Sequence, residues 1–186
     1  KNASGSMETK TKPEEPNAEP AENFDTVAIR KNLQETALND KSAFVRMAAV
    51  QAMANVEPGI SNEIMLQIIS NDPDYRVKIN ALRVLQKNNA DLDNSFLHEV
   101  LYESHPHTAL TAAQYLLANG SKQDLPMLQN LAEETENWRV RATLYAAMMR
   151  YSGPEEKMNL TETLLAKIKS SGSEYEKGLL IKALSE

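Results

Sequence analysis

The chain has 186 residues, of which 41% are hydrophobic, 6 are glycine and none is cysteine. That composition is typical of a globular, helix-rich domain, and it excludes disulfide bonds and cysteine-ligated metal sites. The formal net charge of −6, from 20 basic and 26 acidic residues, argues against general nucleic-acid binding.

The composition gives little information on location. No apolar run approaches the roughly 18 residues of a membrane-spanning helix, so we expect no membrane insertion. The absence of cysteine fits the cytoplasm and a bacterial periplasm equally well, and it does not choose between them.

The first segment, residues 1–23, contains three prolines and five glutamates and almost no large apolar side chain. Such a segment cannot bury enough surface to offset the entropy lost on ordering. We expect a disordered tail or linker, in which residues 4–7 resemble a cloning remnant. It would suit a spacer from an anchor or another domain, with the chain as a fragment of a larger protein.

From residue 24 onward, amphipathic segments alternate in chain order and predict five helical hairpins. The first helix of each hairpin is predicted at 25–39, 60–70, 93–103, 122–134 and 155–170. The second helices contain segments that begin at Val45, Val77, Ala109, Val140 and Glu176, so the unit recurs every 31 to 36 residues. Proline and glycine punctuate the connections, for example at Pro58-Gly59 and Gly153-Pro154. A repeat of this length predicts a stacked, elongated domain at 24–186.

Three columns of residues recur when the second helices are aligned on those starts. Five residues before the start stands a small polar or acidic residue; the five are Asp40, Asp72, Ser104, Thr135 and Ser171. One residue after the start stands a basic residue in all but the third hairpin; the five are Arg46, Lys78, Leu110, Arg141 and Lys177. Four residues after the start lies a small or apolar residue; the five are Ala49, Ala81, Ala113, Leu144 and Leu180. We expect this small column to lie where neighbouring hairpins meet.

These columns resemble the HEAT repeat family, in particular the short form found in phycobilisome-lyase-type proteins. The resemblance covers about 24–186 and implies an all-α fold: a right-handed α-solenoid of about five helical hairpins, an armadillo-type superhelix. It also implies a structural ladder between neighbouring hairpins, formed by Asp40, Arg46, Asp72, Lys78 and Arg141.

Motifs for catalysis are missing from the sequence. It has no Gly-x-Ser-x-Gly elbow, no cysteine nucleophile and no phosphate-binding glycine loop. The three histidines are His98, His105 and His107, and a single His98-Glu99 pair supplies too few ligands for a di-metal site. We therefore expect no catalytic residue, cofactor, bound metal or small-molecule substrate.

The second helices leave a stripe uncovered at one residue before the start and at six and ten residues after it. Of its fifteen positions six are basic and one is acidic, against the trend of the whole chain. The candidate partner-binding residues taken from this stripe are Phe44, Arg76, Arg83, Lys87, Tyr115, Arg139, Arg150 and Tyr175.

The stripe leaves three interpretations open. In the first interpretation, the stripe lies on the concave face, as the HEAT resemblance implies, and the chain is a non-enzymatic scaffold that binds there a protein or peptide, acidic or mixed in charge. Alternatively it holds DNA, as in the HEAT-like DNA glycosylases, an interpretation that the acidic net charge disfavours. In the third interpretation, the arginine and lysine side chains only run along the edges of the stack.

Overall fold

The computed structural model describes residues 26–56, 62–103 and 105–186, and these residues form ten α-helices and no strand. The helices are α1 (Thr26–Asn39), α2 (Ala43–Val56), α3 (Asn62–Asn71), α4 (Tyr75–Lys87), α5 (Asn94–Glu103), α6 (Pro106–Asn119), α7 (Leu125–Glu134), α8 (Trp138–Tyr151), α9 (Pro154–Ser170) and α10 (Glu174–Ala183). The predicted all-α fold of five hairpins is confirmed. The predicted tail at 1–23 lies outside the described residues.

The predicted bounds of the first helices hold to within a few residues, and the largest difference is in the fourth hairpin. There the segment predicted at 122–134 begins with a 3₁₀ turn, Lys122–Asp124, before α7 starts at Leu125. Ser121 and Asp124 cap that turn reciprocally. Pro126, which lacks an amide hydrogen, occupies the first turn of α7, where no helical partner is needed.

The helices form two layers. Each even-numbered helix packs against the next even-numbered helix, and each odd-numbered helix packs against the even-numbered helix of its own hairpin. Consecutive odd-numbered helices approach one another less closely than consecutive even-numbered helices do. A continuous core therefore runs along the stack, as expected of a solenoid whose hairpins contact their neighbours.

The small column lies in this core. Its five predicted members, Ala49, Ala81, Ala113, Leu144 and Leu180, are all buried, as expected of a position where hairpins meet. The alanines allow close approach of the even-numbered helices because their side chains are short.

In the third hairpin, the structure corrects the alignment by one residue. Segments of the other hairpins start three residues after the cap of the even-numbered helix, as Val77 does after Asp74 and Val140 after Asn137. His105 caps α6, so its equivalent start is Thr108 and not Ala109. Thr108 is fully buried, like Val77 and Val140, and its hydroxyl has no hydrogen-bond partner in the described part of the chain.

The corrected alignment exposes a longer period of two hairpins. Helices α2, α3 and α4 begin at Ala43, Asn62 and Tyr75; α6, α7 and α8 begin 63 residues later in each case. The helix starts of the first and second hairpins are thus repeated at the same spacing, from α2 onward, by those of the third and fourth. Residues 63 positions apart are therefore equivalent between two interfaces: the one that joins the first and second hairpins and the one that joins the third and fourth.

Candidate protein-interaction face

One side of the even-numbered helices is uncovered, and we call it the even-helix face. It consists of three rows that cross all five hairpins. The first row is Phe44, Arg76, His107, Arg139 and Tyr175; the second is Gln51, Arg83, Gln114, Ala146 and Lys182; the third is Asn55, Lys87, Ala118, Arg150 and Glu186. All but two of these side chains are exposed, Ala146 being buried and Glu186 half-buried.

Seven of the eight predicted partner-binding residues lie on this face with exposed side chains; they are Phe44, Arg76, Arg83, Lys87, Arg139, Arg150 and Tyr175. The two aromatic ends are largely open to solvent, Phe44 being 75% and Tyr175 78% exposed.

The eighth residue, Tyr115, does not lie on the face. It is 4% exposed, and its hydroxyl donates a hydrogen bond to the carbonyl of Ala90. The one-residue error in the third hairpin is the cause, because with Thr108 as the start the second-row position falls on Gln114 and Tyr115 turns into the core. His107, which takes the first-row position in the third hairpin, was not predicted there for the same reason.

The cations of the face differ in how far they are neutralised. Arg76 forms a two-pronged contact with Asp74, and Arg150 binds Glu186 with 2.6 Å between Nη2 and Oε2. The guanidinium of Arg139 lies 4.4 Å from the ring centroid of Trp138. Arg83 and Lys87 form no ion pair with any residue in the described ranges. Their charge is therefore available to a ligand.

Arg83 and Lys87 line a shallow recess between α4 and α6. The recess is completed by the amide side chains of Gln86, Asn89 and Asn119. Two uncompensated cations beside amide hydrogens form a surface that suits carboxylate oxygens.

Aromatic rings border the first row. The ring of Tyr75 stacks on that of His105, with 3.9 Å between centroids, and the ring of His107 lies 5.4 Å from that of His105. His105 also caps α6, since its Nδ1 accepts a hydrogen bond from the amide of His107. In the described ranges, no group of three histidine, aspartate or glutamate side chains is arranged to hold a metal ion.

The ladder between hairpins lies at the N-terminal end of the even-numbered helices. The guanidinium of Arg46 donates to both carboxylate oxygens of Asp72 in the next hairpin, at 2.7 and 2.8 Å, and to the carbonyl of Asp40. Both side chains are buried, and the bond to Asp72 raises the pKa of Arg46. The same Asp72 carboxylate accepts from the amide of Asp74, the residue that caps α4. Arg46 thus joins the first two hairpins.

The second complete rung has a different acid from the one in the sequence pattern. Arg141 donates to Glu176 of the fifth hairpin at 2.6 Å and to the carbonyl of Thr135. Ser171, at the position of Asp72, donates to the other oxygen of Glu176. Arg141 and Ser171 hold the pKa of Glu176 below its ordinary value. Lys78 forms no such rung and instead contacts the carbonyl of Ser70 within its own hairpin.

Comparison with known families agrees with this geometry. The family described as HEAT repeats matches residues 62–149, from the start of α3 to within the last turn of α8. The part of the chain from α3 to α8 is therefore built from HEAT repeats. Such repeats commonly serve as protein-interaction scaffolds. No curated protein sequence matches the chain.

None of the described helices is long and apolar enough to cross a membrane.

Proposed function

We propose that this HEAT-repeat chain is a non-enzymatic scaffold whose even-helix face binds an acidic segment of a partner protein. The observation that carries the proposal is the pair of uncompensated cations, Arg83 and Lys87, in the recess between α4 and α6. Exposed charges of this kind steer an oppositely charged partner and set its orientation more than they stabilise the fold.

The layering of the helices supports the choice of this face. When two layers of a stack differ in spacing, the more closely spaced layer lies on the inside of the curve. The even-numbered helices are the closer ones, so the proposal places the partner on the concave side. A concave surface can contact an extended segment along several hairpins at once.

The exposed aromatic side chains support a protein ligand in particular. Phe44 and Tyr175 stand at the two ends of the first row, with Trp138 half-buried beneath Arg139. Aromatic and arginine side chains are enriched among the residues that contribute most to protein interfaces.

The test reverses the charges in the recess. A short poly-glutamate peptide serves as the probe, and its binding is measured by fluorescence anisotropy at low and at high salt. We expect Arg83→Glu with Lys87→Glu to weaken binding at least about tenfold at low salt, with a smaller difference at high salt because of screening. The matched control is Lys31→Glu with Lys169→Glu, two exposed lysines on odd-numbered helices. Equal weakening in both double variants would show a general charge effect and reject the face as the binding surface.

A nucleic-acid ligand is the second candidate, since the same arginines and lysines could contact phosphates. The net charge of −6 disfavours it. The same wild-type protein and double variants are measured with a DNA duplex as the probe. If the wild-type protein bound the duplex more tightly than poly-glutamate, with a steep linear fall in log affinity against log salt, a nucleic acid would be favoured as the ligand over an acidic protein segment.

A further inference from the structure

A cleft of about 350 Å³ opens between the third and fourth hairpins, away from the even-helix face. Its walls combine apolar and acidic groups. The apolar part includes Leu101, Leu131, Val140 and Leu144, and the rim carries Glu134 and Glu136.

The corresponding place between the first and second hairpins is lined by residues 63 positions earlier, and there it contains a guanidinium. Leu38 and Ile68 correspond to Leu101 and Leu131. Arg46 lines the same place and is hydrogen-bonded to Asp72 and to the carbonyl of Asp40. At the third and fourth hairpins Ala109 stands in place of Arg46, and Thr135 in place of Asp72. We call this place the ladder gap, because a rung is missing there.

The acidic groups of the ladder gap stand at other positions than those of the occupied interface, where Asp72 and Asp74 lie near Arg46 and the ladder gap has Thr135 and Asn137 instead. Glu134 and Glu136 stand where the first interface has the neutral residues Asn71 and Pro73. The hydroxyl of Tyr102, which also lines the ladder gap, donates a hydrogen bond to Glu134. Burial together with this bond raises the pKa of Tyr102 to about 12, so the hydroxyl keeps its proton at neutral pH.

We propose that the ladder gap binds an arginine side chain of a partner protein, with its guanidinium in the place that Arg46 occupies between the first two hairpins. The apolar walls would cover the methylene groups of the ligand, and the two rim carboxylates would pair with its charge. Arginine fits better than lysine because its planar group donates in parallel to carboxylate oxygens. This site differs from the even-helix face in position and in the sign of the charge it selects, so either proposal can fail without the other.

The test titrates the full chain with N-acetyl-arginine amide and, separately, with N-acetyl-citrulline amide, which has nearly the same shape and no charge. We expect amide chemical shifts of Ala109, Thr135 and Val140 to move with arginine and saturate in the millimolar range. Citrulline should leave them in place. Equal shifts with the two ligands would show that binding does not depend on the positive charge, and this would overturn the proposal. A lack of any shift with arginine would overturn it as well.

Two variants locate the binding. Glu134→Gln with Glu136→Gln should weaken arginine binding about tenfold, because it removes both charge partners and keeps the shape. The control, Glu133→Gln with Glu155→Gln, makes the same change in net charge at exposed positions outside the ladder gap and should bind as wild type does. Ala109→Arg should occupy the gap from within and abolish binding. Unchanged arginine binding in the Glu134→Gln, Glu136→Gln protein would overturn the proposal even if Ala109→Arg failed to fold.

Discussion

The buried ion pair of Arg46 and Asp72 is the polar contact on which the junction of the first two hairpins most depends. Asp72→Asn would leave the guanidinium of Arg46 buried without a compensating charge, so we expect the free energy of unfolding to fall by about 3–5 kcal/mol. Urea unfolding followed by circular dichroism measures it. In the control Arg76→Ala, which removes an exposed pair with Asp74, the loss should stay below about 1 kcal/mol. Similar losses in the two variants would mean that Asp72 is solvated in solution.

Glu176 makes the second rung dependent on pH. Its pKa is lower in the folded chain than in the unfolded chain, because Arg141 and Ser171 stabilise the carboxylate. The rung therefore stabilises the fold fully above the ordinary glutamate pKa, and this contribution is lost as the pH falls through the lowered value. Glu176→Gln should lower the melting temperature at pH 7, and the difference from wild type should shrink on acidification. If the difference in melting temperature between Glu176→Gln and wild type stayed constant down to the pH of acid unfolding, Glu176 would not stabilise the fold through its charge.

At the scale of single helices, the buried hydroxyl of Thr108 tests the corrected alignment of α6. A buried hydroxyl without a partner costs about 1–3 kcal/mol, so Thr108→Val should raise the free energy of unfolding by roughly 1 kcal/mol. Thr111, also buried in α6, donates to the carbonyl of His107 at 2.9 Å and is the matched control. Thr111→Val should bring no such gain. If Thr108→Val destabilised the chain instead, its hydroxyl would have to be hydrogen-bonded in solution.

Helix α2 offers adjacent alanines for testing how closely the hairpins pack. Ala49 is buried against the neighbouring hairpin and Ala48 is exposed. Ala49→Leu should lower the free energy of unfolding by about 1–3 kcal/mol, since the added carbons have no space, whereas Ala48→Leu should change it by less than about 0.5 kcal/mol. Thermal unfolding of the two single variants measures the contrast, and equal melting temperatures would disprove the packing assigned to this column.

Helix order and bounds could be predicted from sequence because apolar residues recur at helical spacing and proline and glycine mark the connections. The third hairpin was misaligned because α6 has alanine at both 109 and 112–113, so two alignments fit the small column equally well. The signal that decides it is Pro106: proline favours the first helical position, and it fixes His105 as the cap. Glu176 was missed because it supplies from the first turn of α10 the charge that the second hairpin has at Asp72, five residues before its start.

At the scale of the whole molecule, the basic stripe was predictable because it depends only on helix periodicity, and seven of its eight candidate residues are exposed on the even-helix face. The neutralisation of Arg76 and Arg150 was not predictable, since it depends on the rotamers and positions of Asp74 and Glu186. The ladder gap could not be predicted for a similar reason. Its volume depends on how two hairpins pack, although the change from Arg46 to Ala109 is visible once the 63-residue offset is known.

That offset has a consequence for the evolution and engineering of the chain length. A gene rearrangement that removed residues 47–109 would join Arg46 directly to Leu110, in phase with the helix, and leave three hairpins with the loops of the original. Duplication of the same stretch would add two hairpins in the same phase. In the shortened chain Arg46 would face Thr135, so the deletion would also replace the alanine of the ladder gap with an arginine from the chain itself. A single genetic event can therefore change both the number of hairpins in the stack and the residue that lines the ladder gap.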